Sequence, residues 1–394
     1  MSLAAPRLLT PVLQDYAWGS PTAIARIRGM DPSGRPEAEL WFGAHTKAPS
    51  TIDGQPLDVL IENEPDLVGS ASVQRFGPQL PYLLKILAAD QPVSLQAHPS
   101  RDQAEAGFAR EEAEGVARDA ANRNYHDDWP KPEMLVALEP TEALCGFRDP
   151  AESATLLARF AVAGLDELIA PLGHDDHAAG VRETFLGFLQ LDNDHRGVVD
   201  RMVEAARAVD EDSPFGRLCA TAVELAAFYP GDPGVLAALL MNRIHLEPYQ
   251  GVFLPAGNMH AYLSGVGVEI MANSDNVLRG GLTPKHVDVE ELASVVDFAP
   301  GFPGVVESTE VSPGRWHYDT PAPEFALWRL GGDAVELPQE DLGRIVLAID
   351  PLTLASNEAE LELGGGEGAF VRAGVTVTAT CTGVAFLAAP GARG

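Results

Sequence analysis

The hydrophobic and polar positions along the chain follow two different patterns. Up to about residue 100, and again after Pro248, short apolar runs such as LWFGAHT and PYLLKILAA alternate with turns rich in Gly, Pro, Asn and Asp. Such runs predict β-strands. Between Asp149 and about Ile244 the apolar positions recur at helical spacing, in AESATLLARFAVAGLDELIA, VRETFLGFLQL, RGVVDRMVEAARAV and FGRLCATAVELAAFY. We therefore expect strands at both ends of the chain and helices between them.

The last third of the chain, from about residue 320 to 390, adds closely spaced strands such as FALWRL, RIVLAI, VTVTAT and VAFLAAPG. Strands at this spacing, separated by glycine, favour a sandwich or a barrel. We predict a mainly β protein with α. Its expected divisions are an N-terminal β part (1–148), a helical domain (149–245), a continuation of the first β part (246–320) and C-terminal strands (321–394).

Another helix is predicted where the chain reads SRDQAEAGFAREEAEGVARDAAN. Ser100 can cap this helix, and the helical pattern extends to Asn122. The segment NYHDDWPKPEM follows, and its two prolines forbid a regular helix. We therefore expect a loop that delivers Lys131 and Glu133 to the start of the strand MLVALEP.

Length and composition indicate a large globular protein. The 394 residues are 46% hydrophobic and 21% charged, which is enough for two or three domains. No apolar run approaches the ~20 residues of a membrane span, and the N-terminal segment lacks the basic and apolar regions of a signal peptide. Three widely spaced cysteines form no CxxC pair, so reduced thiols and a cytoplasmic location are expected.

The charge of the chain limits its partners. A formal net charge of -30 argues against binding to nucleic acid or to an anionic membrane, since both need a cationic surface. Only four of the 27 basic residues are lysines, namely Lys47, Lys85, Lys131 and Lys285. A lysine in such an arginine-biased chain is a candidate for a site that needs a compact ammonium group, although chance retention explains it equally well.

Three short motifs carry candidate metal ligands. In LQAHPSRD, Gln96 and His98 are two residues apart and would project from the same face of a strand. Taken alone, such a pair is more often hydrogen-bonded beneath a loop. WPKPEM adds Glu133 and PAGNMHAYL adds His260. One amide oxygen, one carboxylate and two imidazoles fit a divalent ion, zinc first, and the missing thiolates argue against a closed structural site.

The segment VEIMANSDNVLRGGLTPK, from residue 268 to 285, contains candidates for binding an anion. Its NSDN and GG sequences are also ordinary turn chemistry. Arg279 precedes two glycines, where backbone can approach a ligand closely, and Lys285 is one of the four lysines. Together they predict a phosphate site, with Lys131 or Lys85 beside it.

Several of these motifs, in this order, give the chain a family resemblance. They are QDYAWGS (14–20), ELWFGAHTKAPS (39–50), PYLLKILAADQPVSLQAHP (81–99), KPEMLVALEPTEALCGFR (131–148) and PAGNMHAYLSGVGVEIMANSDNVLRGGLTPKHVD (255–288). With these blocks the chain resembles the type I mannose-6-phosphate isomerases, which are zinc-dependent cupin enzymes of sugar metabolism. The resemblance implies cupin-type jelly-roll domains (double-stranded β-helices) with a helical domain between them.

The resemblance also implies roles for individual residues. It places one zinc ion per chain on Gln96, His98, Glu133 and His260, and the active-site arginine at Arg279. It assigns further residues to the sugar-phosphate pocket or its surroundings: Trp18, Lys85, Ser94, Lys131, Tyr262, Glu269, Asp275 and Lys285. Of the lysines, only Lys47 is left outside the pocket.

The activity implied by the resemblance is the interconversion of D-mannose 6-phosphate and D-fructose 6-phosphate through an enediolate. We expect the protein to be a monomer. Lys285 and Ser94 are expected to bind the phosphate, with Lys85 as a further candidate. Lys131, Glu269 and Asp275 remain open as the base that moves the proton. The alternatives are a cupin oxygenase, which would use iron, and a non-catalytic sugar-phosphate-binding protein.

Overall fold

Two antiparallel β-sheets and a group of helices form the framework of the protein. The structure is a computed structural model that describes residues 5–191, 197–210, 212–213, 215–337 and 341–391. Among these residues, none of the helices combines the length and the apolar character that a bilayer crossing requires. The prediction of a mainly β protein with a helical part is confirmed.

The first sheet contains the strands that surround the candidate site. Its long strand, His260–Ala272, pairs with Tyr82–Ala89 on one side and with Glu133–Ala137 on the other. Tyr82–Ala89 is buried throughout, so its apolar run encloses a single charge, that of Lys85. The remaining strands of this sheet are Val12–Gln14, Glu39–Gly43, Gln96–Ala97, Thr141–Phe147, Met241–Leu246, Gly251–Leu254, Leu278–Arg279 and Val305–Val306.

The second sheet is built mainly from the C-terminal part of the chain. Its strands are Arg7–Leu9, Thr309–Ser312, Arg315–Tyr318, Ala326–Leu337, Arg344–Ala348, Leu352–Ala355, Glu360–Leu363, Gly368–Val371 and Val377–Ala389. Arg7–Leu9 comes from the other end of the chain and pairs with Gly368–Val371. Phe42 and Ile86 of the first sheet share one apolar core with Phe370 and Phe386 of the second. A short hairpin, Thr51–Ile52 with Gln55–Pro56, forms a separate two-stranded sheet.

Helices fill the middle of the chain and pack against one end of the first sheet. They are Pro150–Ala158, Leu165–Ile169, His177–Leu189, Val198–Arg207, Gly216–Phe228 and Gly234–Ala238, with the 3-10 turn Ala170–Gly173. The other helices are Ala23–Ile27, Leu57–Asn63, Ser70–Phe76, Arg101–Glu114 and Val289–Val295, with the 3-10 turn Pro65–Leu67. Phe185 from the middle group packs with Leu144, Phe147 and Leu278 of the first sheet. This packing covers the sheet near Arg279.

Two details of the helix prediction were wrong, and one lies outside the described residues. The helix that Ser100 caps ends at Glu114, because Gly115 adopts a left-handed conformation (φ 73) in which its N–H closes onto the last turn,. Helix was also expected up to about residue 244, yet Met241–Leu246 is a strand that pairs with Thr141–Phe147. The predicted helix start at Arg196 lies outside the described residues.

Candidate metal centre and active site

Two histidines and a glutamate meet beside a large cavity of the first sheet. His98 Nε2 lies 3.3 Å from Glu133 Oε1, and His260 Nε2 lies 3.3 Å from Glu133 Oε2. One donor atom from each residue lies within 4.8 Å of the other two, and all three side chains are buried. A carboxylate between two imidazoles at this separation could hold one metal ion.

Strand pairing brings these residues together from distant parts of the chain. His260 begins the long strand and is the register partner of Gln96, and His98 follows Gln96–Ala97 directly. Glu133 opens its own strand opposite Leu254, which comes just before the turn that leads to His260. The apolar flanks of each segment are buried in the sheet, and the polar side chains lie at the ends of the strands.

Backbone carbonyls fix the orientation of both imidazoles. His98 Nδ1 lies 2.7 Å from the Asn276 carbonyl oxygen, and His260 Nδ1 lies 3.1 Å from that of Asn258. Since a carbonyl oxygen only accepts, each ring carries its proton on Nδ1 and turns the lone pair of Nε2 toward Glu133.

Two buried atoms of the cluster are suited to bind a cation. Within the described part of the chain, His98 Nε2 and Glu133 Oε2 have no hydrogen-bond partner. Buried polar atoms are rarely left in this state, because desolvation without a partner is costly. Imidazole nitrogen and carboxylate oxygen are both ordinary zinc ligands, so the set fits this ion.

The charges of the cluster also suit a cation. Burial lowers the pKa of His98 to about 4, which keeps the ring neutral near pH 7. Burial raises the pKa of Glu133, but His98 and Lys131 outweigh this effect and hold it well below its ordinary value. Neutral imidazoles with an ionised carboxylate are the protonation states that metal binding requires.

Gln96 and Lys131 stand between the cluster and the cavity. The Gln96 side-chain amide nitrogen lies 3.2 Å from His260 Nε2, so the Gln96 side chain reaches the cluster. Lys131 Nζ lies 3.1 Å from Glu133 Oε1. Both residues line the cavity, which has a volume of about 1040 Å³.

All the other residues predicted for the pocket line this same cavity. They are Trp18, Lys85, Ser94, Tyr262, Glu269, Asp275, Arg279 and Lys285. His98 and His260 lie behind the wall, each with an exposed fraction of 1%. The exclusion of Lys47 from the pocket was wrong, because this residue also lines the cavity. All four lysines of the chain therefore face one space.

A buried network of charges forms one wall of the cavity. Lys85 Nζ lies 2.8 Å from Glu269 Oε2 and 3.7 Å from Glu39 Oε2. The Tyr262 hydroxyl donates to Glu269 Oε1 at 3.0 Å, and the Trp41 indole N–H donates to Glu39 at 2.6 Å. Burial lowers the pKa of Lys85, but Glu269 and Glu39 more than reverse this, and the net shift is upward.

The pKa of Glu269 lies above its ordinary value. Burial is the main cause, Lys85 opposes it, and the nearby carboxylates Glu133 and Glu39 add to it. The register pairs Glu269 with Lys85 on adjacent strands, so the two side chains are fixed relative to each other. A carboxylate with a raised pKa on a rigid element is suited to general base chemistry.

A histidine that the sequence analysis did not select lies beside Asp275. His45 Nε2 is 3.5 Å from Asp275 Oδ1, and its ring packs edge-on against Trp41 with the ring centroids 5.0 Å apart. The Lys47 backbone N–H donates to His45 Nδ1 at 3.3 Å, so the proton of the neutral ring is on Nε2, toward Asp275. Burial lowers the pKa of His45 to about 4.

Three cations on the cavity wall have no carboxylate partner. Within the described residues, none of Lys47, Arg279 and Lys285 forms an ion pair. Burial lowers the pKa of Arg279. Burial also lowers the pKa of Lys285, and repulsion from Arg279 and Lys47 adds to the shift. Unpaired cations in a chain of net charge -30 form a local site for an anion.

The strand Glu39–Gly43 and the turn after it contain most of the residues that the sequence analysis missed. Glu39 and Trp41 are two apart on this strand, so their alternation could have placed both on the face that lines the cavity,. His45 and Lys47 lie in the turn that follows, and their positions depend on how it folds over the sheet. In this turn, the residue types in GAHTK were the only sequence signal of a functional site.

Comparisons with known proteins agree with this arrangement. Residues 7–150 match the family model described as phosphomannose isomerase type I, catalytic domain. The chain is 38% identical to mannose-6-phosphate isomerase of Shigella flexneri over 372 residues, which cover 92% of this chain and 93% of that protein.

Solved structures show the same fold. The apo form of mannose 6-phosphate isomerase from Salmonella typhimurium superposes with a TM-score of 0.88 at 34% identity, over 99% of this chain and 100% of that one. A zinc-bound mannose 6-phosphate isomerase gives a TM-score of 0.87 at 34% identity, over 98% and 99% of the two chains. The chain therefore belongs to the type I phosphomannose isomerase family.

Proposed function

We propose that the protein interconverts D-mannose 6-phosphate and D-fructose 6-phosphate in a zinc-dependent reaction. One observation carries the proposal: a buried His–Glu–His cluster adjoins a cavity whose wall also carries cations that form no ion pair within the described residues. The cluster suits the oxygens at carbons 1 and 2 of a sugar, and the cations suit a phosphate at carbon 6.

The proposed ligands of one zinc ion are His98, Glu133, His260 and Gln96. A half-turn of the Gln96 amide exchanges its nitrogen and oxygen and directs the oxygen to the cluster. The bound ion would act as a Lewis acid on sugar oxygens and so favour formation of an enediolate. Lys131, 3.1 Å from Glu133, would keep that carboxylate ionised and contribute positive charge beside the reacting carbons.

The proposed phosphate site consists of Lys285, Lys47 and Ser94, with Arg279 between it and the cluster. Lys285 and Lys47 are exposed at the cavity wall, where they would attract the dianion before it enters. Ser94 would donate a hydrogen bond to a phosphate oxygen. Anchoring carbon 6 in this way lets binding energy from the phosphate hold carbons 1 and 2 in place.

Arg279 and Lys85 have separate proposed roles. The Arg279 guanidinium, half-buried and without an ion-pair partner in the described residues, would stabilise the negative charge that develops on the enediolate. Lys85 would hold Glu269 in place through their 2.8 Å contact. Trp18, at the cavity wall, would cover one side of the sugar.

Glu269 is our proposed base. Two donors, Lys85 Nζ and the Tyr262 hydroxyl, orient its carboxylate, and its pKa is raised mainly by burial. In the forward direction it would take the proton from carbon 2 of the open-chain aldose and return it to carbon 1, while the proton of the carbon-2 hydroxyl passes to the oxygen on carbon 1. Lys131 is the competing candidate, because it also lines the cavity next to the cluster.

Asp275 is proposed to act in ring opening, which must precede the proton transfer. Its side chain is 37% exposed and lies beside His45, so it can reach a bound sugar. His45 carries its Nε2 proton toward Asp275 and would restrain the carboxylate. Ring opening requires a proton to leave the hydroxyl on carbon 1 and another to reach the ring oxygen.

The test uses purified protein and a coupled assay for fructose 6-phosphate. We expect turnover of mannose 6-phosphate, loss of turnover after metal removal by a chelator, and recovery with zinc. Undiminished turnover by protein shown to be free of metal would overturn the role of the metal. Oxygen uptake with substrate would favour the oxygenase, and sugar-phosphate binding without turnover would favour the binding protein.

Oligomeric state, location and domain division are also proposals. We propose a cytoplasmic monomer, as expected from the sequence; sedimentation at working concentration tests its mass. The run of helices from Pro150 to Ala238 supports the division at 148; the division at 245 falls within the strand Met241–Leu246, and the one at 320 follows two strands of the second sheet, Thr309–Ser312 and Arg315–Tyr318. Limited proteolysis near these positions would test them.

A further inference from the structure

The side chain of Asn276 connects two segments that each supply residues to the cavity. It has an exposed fraction of 0%. Its amide nitrogen donates to the backbone oxygens of Asp127 at 2.8 Å and Trp129 at 2.9 Å. Its amide oxygen accepts from the His126 backbone N–H at 2.8 Å. Asn276 therefore holds the loop 126–129, which leads directly to Lys131 and Glu133.

The backbone of Asn276 makes a second kind of contact. Its carbonyl oxygen accepts from His98 Nδ1 at 2.7 Å. Through its side chain and its carbonyl together, Asn276 therefore contacts His98 and the loop that precedes Glu133. His98 and Glu133 are the two residues whose side chains approach to 3.3 Å in the cluster.

Asp127 strengthens the same connection from the other side. One of its carboxylate oxygens accepts from Ser274 Oγ at 2.8 Å and from the Trp129 backbone N–H at 3.0 Å. The other accepts from the Asp275 backbone N–H at 2.9 Å. Side chains from both the loop 126–129 and the segment 274–276 therefore form hydrogen bonds that join the two.

The chemistry of this network permits few alternative arrangements. A buried amide that loses its partners has no water to replace them, so each bond favours the observed conformation over its competitors. Substituting a residue that hydrogen-bonds to a metal-binding side chain commonly weakens metal affinity by about ten- to a hundred-fold.

We propose that Asn276 is a positioning residue that, with Asp127, sets the relative placement of His98 and Glu133 for metal binding. The inference rests on the proposed function only in taking these two residues as ligands. Asn276 is not among the residues that line the cavity. It acts through its carbonyl on His98 and through the loop on Glu133.

The test compares equilibrium metal binding by the apo-proteins of the wild type, Asn276→Ala and Asp127→Asn. Zinc affinity is measured by competition with a chromophoric chelator, and the coordination of cobalt by its visible absorption. We expect zinc binding about ten- to a hundred-fold weaker in both variants, with an altered cobalt spectrum. Asp127→Asn keeps the size of the side chain and provides the result if Asn276→Ala does not fold.

Asn273→Ala is the matched control. Asn273 lies in the same segment, and its side-chain amide makes one hydrogen bond, to the Leu80 carbonyl at 3.3 Å, away from the 126–129 loop. This variant should bind zinc like the wild type.

Thermal unfolding of each apo-protein separates positioning from general stability. A lower midpoint with unchanged zinc affinity and cobalt spectrum would overturn the inference, as would an equal loss of affinity in Asn273→Ala. Failure of the proposed function is a distinct result, because it would be seen in the wild type as zinc binding without isomerisation.

Discussion

Lys85 Nζ lies 2.8 Å from Glu269 Oε2 in the wall of the cavity, and both side chains are almost fully buried. Lys85 also approaches Glu39, at 3.7 Å, so one ammonium group forms ion pairs with two carboxylates. Burial is the main reason that the pKa of Glu269 is raised, and the nearby carboxylates Glu133 and Glu39 add to it, while Glu269 and Glu39 raise the pKa of Lys85 and keep it charged,.

Glu269→Gln should abolish most of the isomerase activity. The amide preserves the shape of the side chain but cannot take a proton, so kcat is expected to fall by about 10²–10⁴-fold with a smaller change in KM. Exchange of the carbon-2 hydrogen of mannose 6-phosphate with solvent deuterium should fall in parallel, since it reports the same proton transfer.

Glu39→Gln is the matched control for this prediction. It alters the other carboxylate that faces Lys85 and keeps an acceptor for the Trp41 indole N–H. We expect a reduction in kcat of less than about ten-fold, because Glu39 does not move the substrate proton. Equal losses in both variants would mean that the charge of the network matters and that neither carboxylate is the base.

Lys47→Gln should weaken substrate binding. Lys47 lines the cavity near Lys285 and has no ion-pair partner in the described residues. Losing one charge-assisted contact to a phosphate is expected to raise KM by about ten-fold, with kcat nearly unchanged. Arg35→Gln removes the same charge from an exposed residue outside the cavity lining. A similar rise in KM in both variants would indicate a general charge effect.

The candidate metal ligands could be predicted from the sequence because each of them lies in a short motif with a defined local geometry. The two-residue spacing of Gln96 and His98, and the positions of Glu133 and His260 at strand starts, follow from local rules. The contact between His45 and Asp275 could not be predicted in this way. These residues are far apart in the chain, and only the folded sheet brings them together.

The end of the Ser100 helix shows a second limit. Gly115 lies within a stretch that continues in helical composition to Asn122, and an isolated glycine inside such a pattern is often tolerated. After Gly115 the chain is held by side-chain contacts that a helix does not make. The buried Arg123 side chain donates to the carbonyls of Val116 and Tyr125, and no local pattern indicates these bonds.

His45→Gln should change how stability depends on pH. The pKa of His45 is about 4 in the folded protein, against an ordinary 6.5. Between these values the unfolded chain binds more protons than the folded one, so the free energy of unfolding falls as the pH drops from 6.5 to 4. The pKa shift of His45 corresponds to a change of roughly 3 kcal/mol in the free energy of unfolding over this interval. Urea unfolding across it should show a flatter pH dependence for the variant.

His245→Gln is the control for the pH experiment. Hydrogen bonding to Glu142 raises the pKa of His245, so this residue is protonated in both states at acid pH. The contribution of His245 to stability is fully present below its ordinary pKa and is lost as the pH rises through its pKa in the folded protein. The variant should therefore keep the wild-type slope at the acid end of the interval. Parallel slopes for wild type and His45→Gln would contradict the prediction.

Gly281→Ala should displace the segment that carries Arg279 and Lys285. Gly281 has φ 109, a conformation that an alanine strains to adopt. A Cβ there would lie 2.5 Å from the Cα atom of Gly234, where the helical part of the chain packs against this segment. Since small displacements of substrate-positioning groups can cost about a hundred-fold, we expect kcat/KM to fall by about that factor.

Gly187→Ala gives the comparison that separates this effect from a general intolerance of alanine. Gly187 lies inside the helix His177–Leu189, and a Cβ there would meet its nearest neighbour only at 4.0 Å. Alanine is favoured over glycine inside a helix by about 0.5–1 kcal/mol. This variant should therefore unfold at the same or a higher temperature, with unchanged kcat/KM. If Gly281→Ala behaved the same way, the close approach to Gly234 would not control the placement of Arg279 and Lys285.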